Sequence, residues 1–142
     1  MGGRGASSGT GGGSALSRNQ TATNSIQEVV SDKELTRYIT RDARKYVPKE
    51  ERQQIAQNVK QRVDSLRPPA VGTERTYDVN GYKVTAERGN NGYSFTTVKA
   101  NNTLLGGSLY SSTWDEAKST MVKQIARDIV TNTAYKRQRN AT

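Results

Sequence analysis

The chain has 142 residues, and its 22 Lys and Arg residues against 13 Asp and Glu residues give a formal net charge of +9. It contains neither cysteine nor histidine, which excludes Ser-His and Cys-His nucleophiles, zinc fingers and disulfide frameworks, because each requires one of those side chains. The lack of an apolar run of about 18 residues and of an apolar signal core predicts a soluble, intracellular protein.

The first 24 residues differ in composition from the rest of the chain. They hold seven of the 13 glycines and almost no side chain that could be buried. Ordering such a segment costs backbone entropy without a compensating gain from burial. We therefore predict a disordered, Gly/Ser-rich leader over residues 1–24.

A helical hairpin is predicted over residues 25–67. Its first helix is signalled by Ser31 and Glu34, which have the spacing of a capping box. The second helix is expected to begin around Pro48 and to end at Arg67, where two prolines follow. Apolar residues at helical spacing are expected to form a shared buried face. They are Leu35, Tyr38, Ile39, Ala43 and Tyr46 in the first helix and Ile55, Ala56, Val59, Val63 and Leu66 in the second.

Beyond a short connector, the apolar residues alternate with polar ones, which is typical of strands with one buried face. Asn80-Gly81 predicts a two-residue type I′ turn between the first two strands. That turn places Val79 opposite Tyr82 and Tyr77 opposite Val84.

Two further strands are predicted from the turn residues that follow. The third runs from Tyr93 to Ala100, and a slip in its alternation indicates a bulge at Thr96-Thr97. The fourth runs from Leu104 to Ser111 after the Asn101-Asn102 turn.

A second capping box, Thr113 to Glu116, opens a final apolar-faced helix that is expected to cover the sheet. This completes a ββββα unit over residues 68–131, and residues 132–142 are expected to form a basic flexible tail. The sequence thus predicts an α+β fold, in which an N-terminal helical pair precedes a four-stranded antiparallel meander sheet packed by a C-terminal helix.

Positive charge is distributed along the whole chain, yet cations recur every three or four residues on the predicted first helix. Such a stripe is explained either by a solvated helix face with internal ion pairs or by a ridge that follows nucleic-acid phosphates. The later helices add further cations, Lys49 and Arg52 among them. The candidate contacts to nucleic acid or a partner are Lys33, Arg37, Arg41, Arg44, Lys45, Lys136, Arg137 and Arg139.

Seven tyrosines, against one phenylalanine and one tryptophan, are a second unusual feature. Tyr82 and Tyr93 lie on predicted strands. They are explained either as core-edge residues whose hydroxyls reach water or as rings that stack on unpaired bases. Spacing alone leaves both explanations open.

Carboxylate pairs are the remaining candidates for catalysis. Glu50-Glu51 and Asp115-Glu116 both lie in predicted first turns of helices, where stabilisation of the helix dipole accounts for them. No acidic set has the spacing of metal ligands. We therefore expect no enzymatic activity, no metal and no other cofactor.

Two stretches resemble known groups of proteins. The opening MGGRGASSG, Met1 to Gly9, resembles the leader of small accessory proteins of phages and mobile elements of Gram-positive bacteria, which implies a protein of the bacterial host's cytoplasm. Residues 76–130, with Tyr93-Ser94-Phe95 on a strand and Thr113 opening a helix, are similar in outline to sheet-and-helix DNA-binding domains. Those include the plant ethylene-response type and the N-terminal domain of transposon integrases, and their likeness implies a sheet that contacts DNA.

Two functions of different classes are compatible with these observations. The first is a non-catalytic accessory protein that binds DNA, RNA or a host nucleoprotein through its basic surfaces. The alternative is an inhibitor of the anti-CRISPR type, which docks on a host CRISPR effector nuclease and blocks engagement of guide RNA or target DNA. A net charge of +9 argues against mimicry of DNA.

Overall fold

The computed structural model describes residues 28–141, so the predicted leader over residues 1–24 lies outside the described part of the chain. The first helix, α1, spans Asp32–Leu35. The side chain of Ser31 caps it by accepting a hydrogen bond from the Glu34 N–H at 3.2 Å, as the sequence predicts. A 3-10 turn follows at Arg44–Tyr46, and the second helix, α2, spans Lys49–Asp64.

The predicted continuous helix from Ser31 to Tyr46 is wrong, because α1 ends after one turn. The Thr36 hydroxyl donates to the Asp32 carbonyl at 2.8 Å, and the chain then passes through successive tight turns closed by the Thr40 carbonyl. Threonine side chains compete in this way for backbone groups that a helix would otherwise use. The turns still bury Ile39 and Ala43, but they leave Tyr38 exposed, contrary to its assignment to the buried face.

Four strands form one antiparallel meander in the order of the sequence, which confirms the predicted sheet. They are β1 (Glu74–Val79), β2 (Tyr82–Arg88), β3 (Tyr93–Val98) and β4 (Leu109–Ser111). The first hairpin has the predicted register, with Val79 opposite Tyr82 and Tyr77 opposite Val84. Its turn residues Asn80 and Gly81 have φ of 52° and 90°, as a type I′ turn requires.

The predicted bulge in the third strand is wrong. Pairing between β2 and β3 runs without interruption, so the alternation of faces continues and Thr97, not Val98, points into the core opposite Val84. The fourth strand is also shorter than predicted, since Leu104 makes only an isolated bridge to Val98 and regular pairing begins at Leu109.

The last helix, α3, spans Trp114–Asn140 and is capped by Thr113 as predicted. It continues through residues 132–140, where the sequence predicts a flexible tail, because its last turns pack on the segment around the 3-10 turn. Its 27 residues give a length of about 40 Å at ~1.5 Å per residue. The helix packs against the N-terminal helices and against the last two strands of the sheet.

One buried cluster joins the helical pair to the sheet across α3. Leu35 and Val59 from the helical pair, Phe95 from the sheet and Met121 from α3 all belong to it. The segment Arg67-Pro68-Pro69 therefore connects the helical pair to the sheet within one hydrophobic core. The fold is α+β, with N-terminal helices, a four-stranded antiparallel meander and a long C-terminal helix that packs against both.

Candidate nucleic-acid interface

The end of α3 and the segment before α2 meet at one end of the molecule. The Tyr135 hydroxyl donates to the Tyr38 carbonyl at 3.3 Å and accepts from the Thr40 N–H at 3.0 Å. The Arg137 guanidinium donates to the Tyr46 carbonyl at 2.8 Å. These contacts join residues 36–51 to residues 132–140, and we call the two segments together the basic end.

Most of the excess positive charge of the described chain lies in the basic end. Its two segments carry eight Lys or Arg residues and three Asp or Glu residues, a net of +5. Residues 28–141 as a whole carry 20 and 13, a net of +7, so the remaining 89 described residues contribute only +2. Charge that is distributed along the sequence is therefore concentrated in space.

Two cations of the basic end, Arg137 and Arg37, are paired with an acid. Arg137 forms a bidentate pair with Glu51, with both N–O distances at 2.7 Å, and Arg37 pairs with Glu34 at 3.3 Å. The hydrogen bond from Arg137 lowers the pKa of Glu51 and raises the pKa of Arg137, because each charge stabilises the other. Arg41 and Lys136 are exposed and form no ion pair with any residue that the structure describes.

The structure brings together most of the predicted binding residues. Arg44 is exposed, and its Nε donates to the Ile39 carbonyl at 3.4 Å, whereas the Lys45 Nζ lies 5.4 Å from the centroid of the Tyr46 ring. Lys33 lies apart from the basic end, on α1. The predicted residues within the basic end are Arg37, Arg41, Arg44, Lys45, Lys136, Arg137 and Arg139, all of them exposed.

Tyr82 and Tyr93 belong to the core and not to the candidate interface. Tyr82 is 8% exposed, and its hydroxyl donates to the Asp128 carboxylate at 2.5 Å. Burial and the Asp128 charge both raise the pKa of Tyr82. Tyr93 is 7% exposed, with its ring centroid 5.3 Å from that of Trp114. Neither ring offers a face to a base, which corrects the prediction of aromatic contacts at these two positions.

Arg52 is likewise not part of an interface, because it is buried. Its guanidinium donates to both carboxylate oxygens of Asp32, at 2.7 and 2.9 Å, and to the Val47 carbonyl at 2.8 Å. It thus fixes both ends of the segment that carries Arg41 and Lys45. Sequence alone groups Arg52 with the exposed cations, since nothing in its local pattern distinguishes it.

The uncovered face of the sheet carries little positive charge. Register and burial place Glu74, Asp78 and Glu87 on this face together with Lys83, which lies directly opposite Asp78. Three acids against one base repel phosphate. The resemblance to sheet-and-helix DNA-binding domains implies a sheet that contacts DNA. The charges on this face of the sheet do not support that expectation.

A groove of about 500 Å³ lies between the start of α1, the end of α2 and the start of α3. Its lining includes three lysines and three acids, and two of the lysines are already paired, Lys60 with Asp64 and Lys118 with Asp115. The charges of the side chains that line the groove therefore balance. Over residues 28–141, no group of three or more acidic, His or Cys side chains is arranged to hold a metal ion.

No family model matches the chain, and neither a curated protein nor a solved structure matches it. Among the described residues, no helix combines the length and the apolar character that a membrane crossing needs. The basic end is therefore the feature on which a functional proposal rests.

Proposed function

We propose that the protein is a non-catalytic binder of nucleic acid, either free or within a nucleoprotein, and that the basic end contacts the phosphate backbone. The observation that carries this proposal is the net charge of +5 in two segments that are far apart in sequence and in contact in the fold. A surface that neutralises phosphates releases condensed counterions, which drives association.

The backbone that carries the cations of the basic end is held in place by contacts within the protein. Arg52 fixes the segment between Asp32 and Val47, and Tyr135 and Arg137 fix it against α3. A surface that is already ordered loses less conformational entropy on binding. Tyr135 and Arg137, which hold this segment, lie in the part of α3 beyond residue 131.

A solvated surface with internal ion pairs is the competing explanation, and it fits the rest of the molecule better than the basic end. Most of the ion pairs lie outside the basic end, such as Lys60 with Asp64 and Lys99 with Asp128. Within the basic end, Arg41, Lys49 and Lys136 have no acidic partner among residues 28–141.

The test replaces three exposed cations of the basic end, Arg41, Arg44 and Lys45, by Gln. The matched control removes the same charge elsewhere on the surface, at Arg67, Arg75 and Lys83, which are also exposed. Binding to a labelled single strand and a labelled duplex of about 20 nucleotides is measured by anisotropy across a series of salt concentrations, because each lost phosphate contact lowers the salt dependence.

We expect the basic-end variant to lose about 10- to 100-fold in affinity near physiological salt and to flatten the slope of log K against log salt by about 2. The control variant should lose much less. Equal losses in the two variants would mean that net charge alone drives binding. If the wild type bound neither oligonucleotide, binding to free nucleic acid would be refuted. A second assay distinguishes this proposal from the inhibitor alternative. It measures DNA cleavage by a type II CRISPR effector with and without the protein. The inhibitor alternative predicts that cleavage is inhibited although the protein has no affinity for free nucleic acid.

A further inference from the structure

Tyr38 is the feature of the basic end that phosphate binding does not explain. Its ring is 62% exposed and stands between Arg37 and Arg41 in the chain. Among the seven tyrosines, only Tyr110 matches this exposure, and it lies on the sheet, where its hydroxyl donates to the Asn91 carbonyl at 2.8 Å.

The Tyr38 backbone and one face of the Tyr38 ring each contact a residue of α3. The Tyr135 hydroxyl donates to its carbonyl, and the guanidinium of Arg127 lies 5.1 Å from its ring centroid. Arg127 is itself anchored by Glu34, with an N–O distance of 2.9 Å. The Tyr38 ring therefore lies against the guanidinium of Arg127 and remains mostly accessible to solvent.

An exposed aromatic ring in a segment with excess positive charge matches the two parts of a single-stranded nucleotide, its base and its phosphate. Aromatic side chains stack on bases of any identity, and a positively charged surface follows the backbone. Bases in a duplex are already stacked and present only their edges, so the same ring gains nothing from a duplex.

We propose that the basic end binds single-stranded nucleic acid and that Tyr38 stacks on one of its unpaired bases. This inference rests on the proposed function, since the cations of the basic end hold the backbone beside the ring. Arg41, one turn away in the chain and without an ionic partner among residues 28–141, is placed to contact the adjoining phosphate.

The experiment compares Tyr38→Ala with Tyr110→Ala, a control of equal ring exposure on the sheet. Oligothymidine and oligouridine of about 20 nucleotides and a duplex of the same length are titrated over a range of salt concentrations. The Tyr38→Ala variant should lose about 5- to 100-fold in affinity for the single strands and less than about twofold for the duplex. Its salt slope should not change, because no phosphate contact is removed.

Three more variants separate stacking from local unfolding. Tyr38→Trp and Tyr38→Phe keep a ring and should retain single-strand affinity, whereas Tyr38→Leu, which keeps only apolar bulk, should behave like Tyr38→Ala. Equal losses on duplex and single strand, or a loss below about twofold on both single strands, would overturn the inference. The proposed function would survive that result if the Arg41, Arg44 and Lys45 variant still loses affinity, so the two failures are distinguishable.

Discussion

Removal of the buried Arg52 guanidinium should destabilise the protein far more than removal of an exposed cation on the same helix. Arg52 makes two hydrogen bonds to the Asp32 carboxylate and one to the Val47 carbonyl, and its side chain is only 10% exposed. Lys60, two turns further along α2, pairs with Asp64, but both side chains are about half exposed. The variants Arg52→Met and Lys60→Met therefore form a matched pair.

The magnitude follows from what each substitution leaves behind. Breaking a buried ion pair by removing one partner costs about 3–5 kcal/mol, because the other charge stays buried and unpaired. The Asp32 side chain is 31% exposed and regains water, which reduces the cost, while the Val47 carbonyl loses its partner. We expect Arg52→Met to lower the free energy of unfolding by about 2–3 kcal/mol and Lys60→Met by less than about 0.5 kcal/mol.

Urea denaturation followed by the fluorescence of Trp114 measures both variants. Trp114 is the only tryptophan, and its ring packs between those of Tyr77 and Tyr93, so its emission reports on the core. Amide hydrogen exchange over residues 36–47 should also accelerate in Arg52→Met, since that segment loses its anchor. Similar losses in the two variants, or a loss below about 0.5 kcal/mol for Arg52→Met, would refute the reasoning.

Two further predictions concern a buried hydroxyl and a pH-dependent ion pair. Thr97 is 1% exposed and its Oγ1 has no hydrogen-bond partner among the described residues, so Thr97→Val should raise the free energy of unfolding by about 1 kcal/mol. Thermal melting of Thr97→Val should show a melting temperature higher by a few degrees. A lower melting temperature would mean that the Thr97 hydroxyl is hydrogen-bonded. The control variant Thr85→Val loses a 3.1 Å hydrogen bond to Thr76 and should show no gain in stability. The hydrogen bond from Arg137 holds the pKa of Glu51 below its ordinary value of 4.5. The pair therefore stabilises the fold fully when the pH is above 4.5, and this stabilisation is lost as the pH falls through the lowered pKa. Glu51→Gln should therefore melt lower than the wild type near neutral pH and equally at strongly acidic pH, and a difference that persists in acid would contradict this account.

Local features of the fold could be predicted because they depend on neighbouring residues. The Asn80-Gly81 turn fixes the register of the first hairpin, and the Ser31 and Thr113 caps mark the starts of two helices. Each involves groups at most a few residues apart, so residue type alone indicates the geometry.

The predictions of the strand bulge, the long first helix and the flexible tail are wrong because they extend a local sequence pattern, whereas tertiary packing decides these segments. Val98 and Ala100 fall out of phase with Tyr93 and Phe95, and the predicted bulge rests on that slip, yet uninterrupted strand pairing places Thr97 in the core. The segment from Thr36 to Tyr46 keeps helical spacing of its apolar residues but forms turns, which exposes Tyr38. The last turns of α3 are polar, and they are helical because Arg137 and Tyr135 find partners more than 80 residues away.

Composition and local pattern by themselves determined the α+β class, the meander and its first register, and they excluded cysteine and histidine chemistry. Only the tertiary structure decided which cations share a surface, which tyrosines are exposed and which arginine is buried. The physical reason is that charge and exposure depend on contacts such as Thr40 with Tyr135, 95 residues apart, and no spacing along the chain records them.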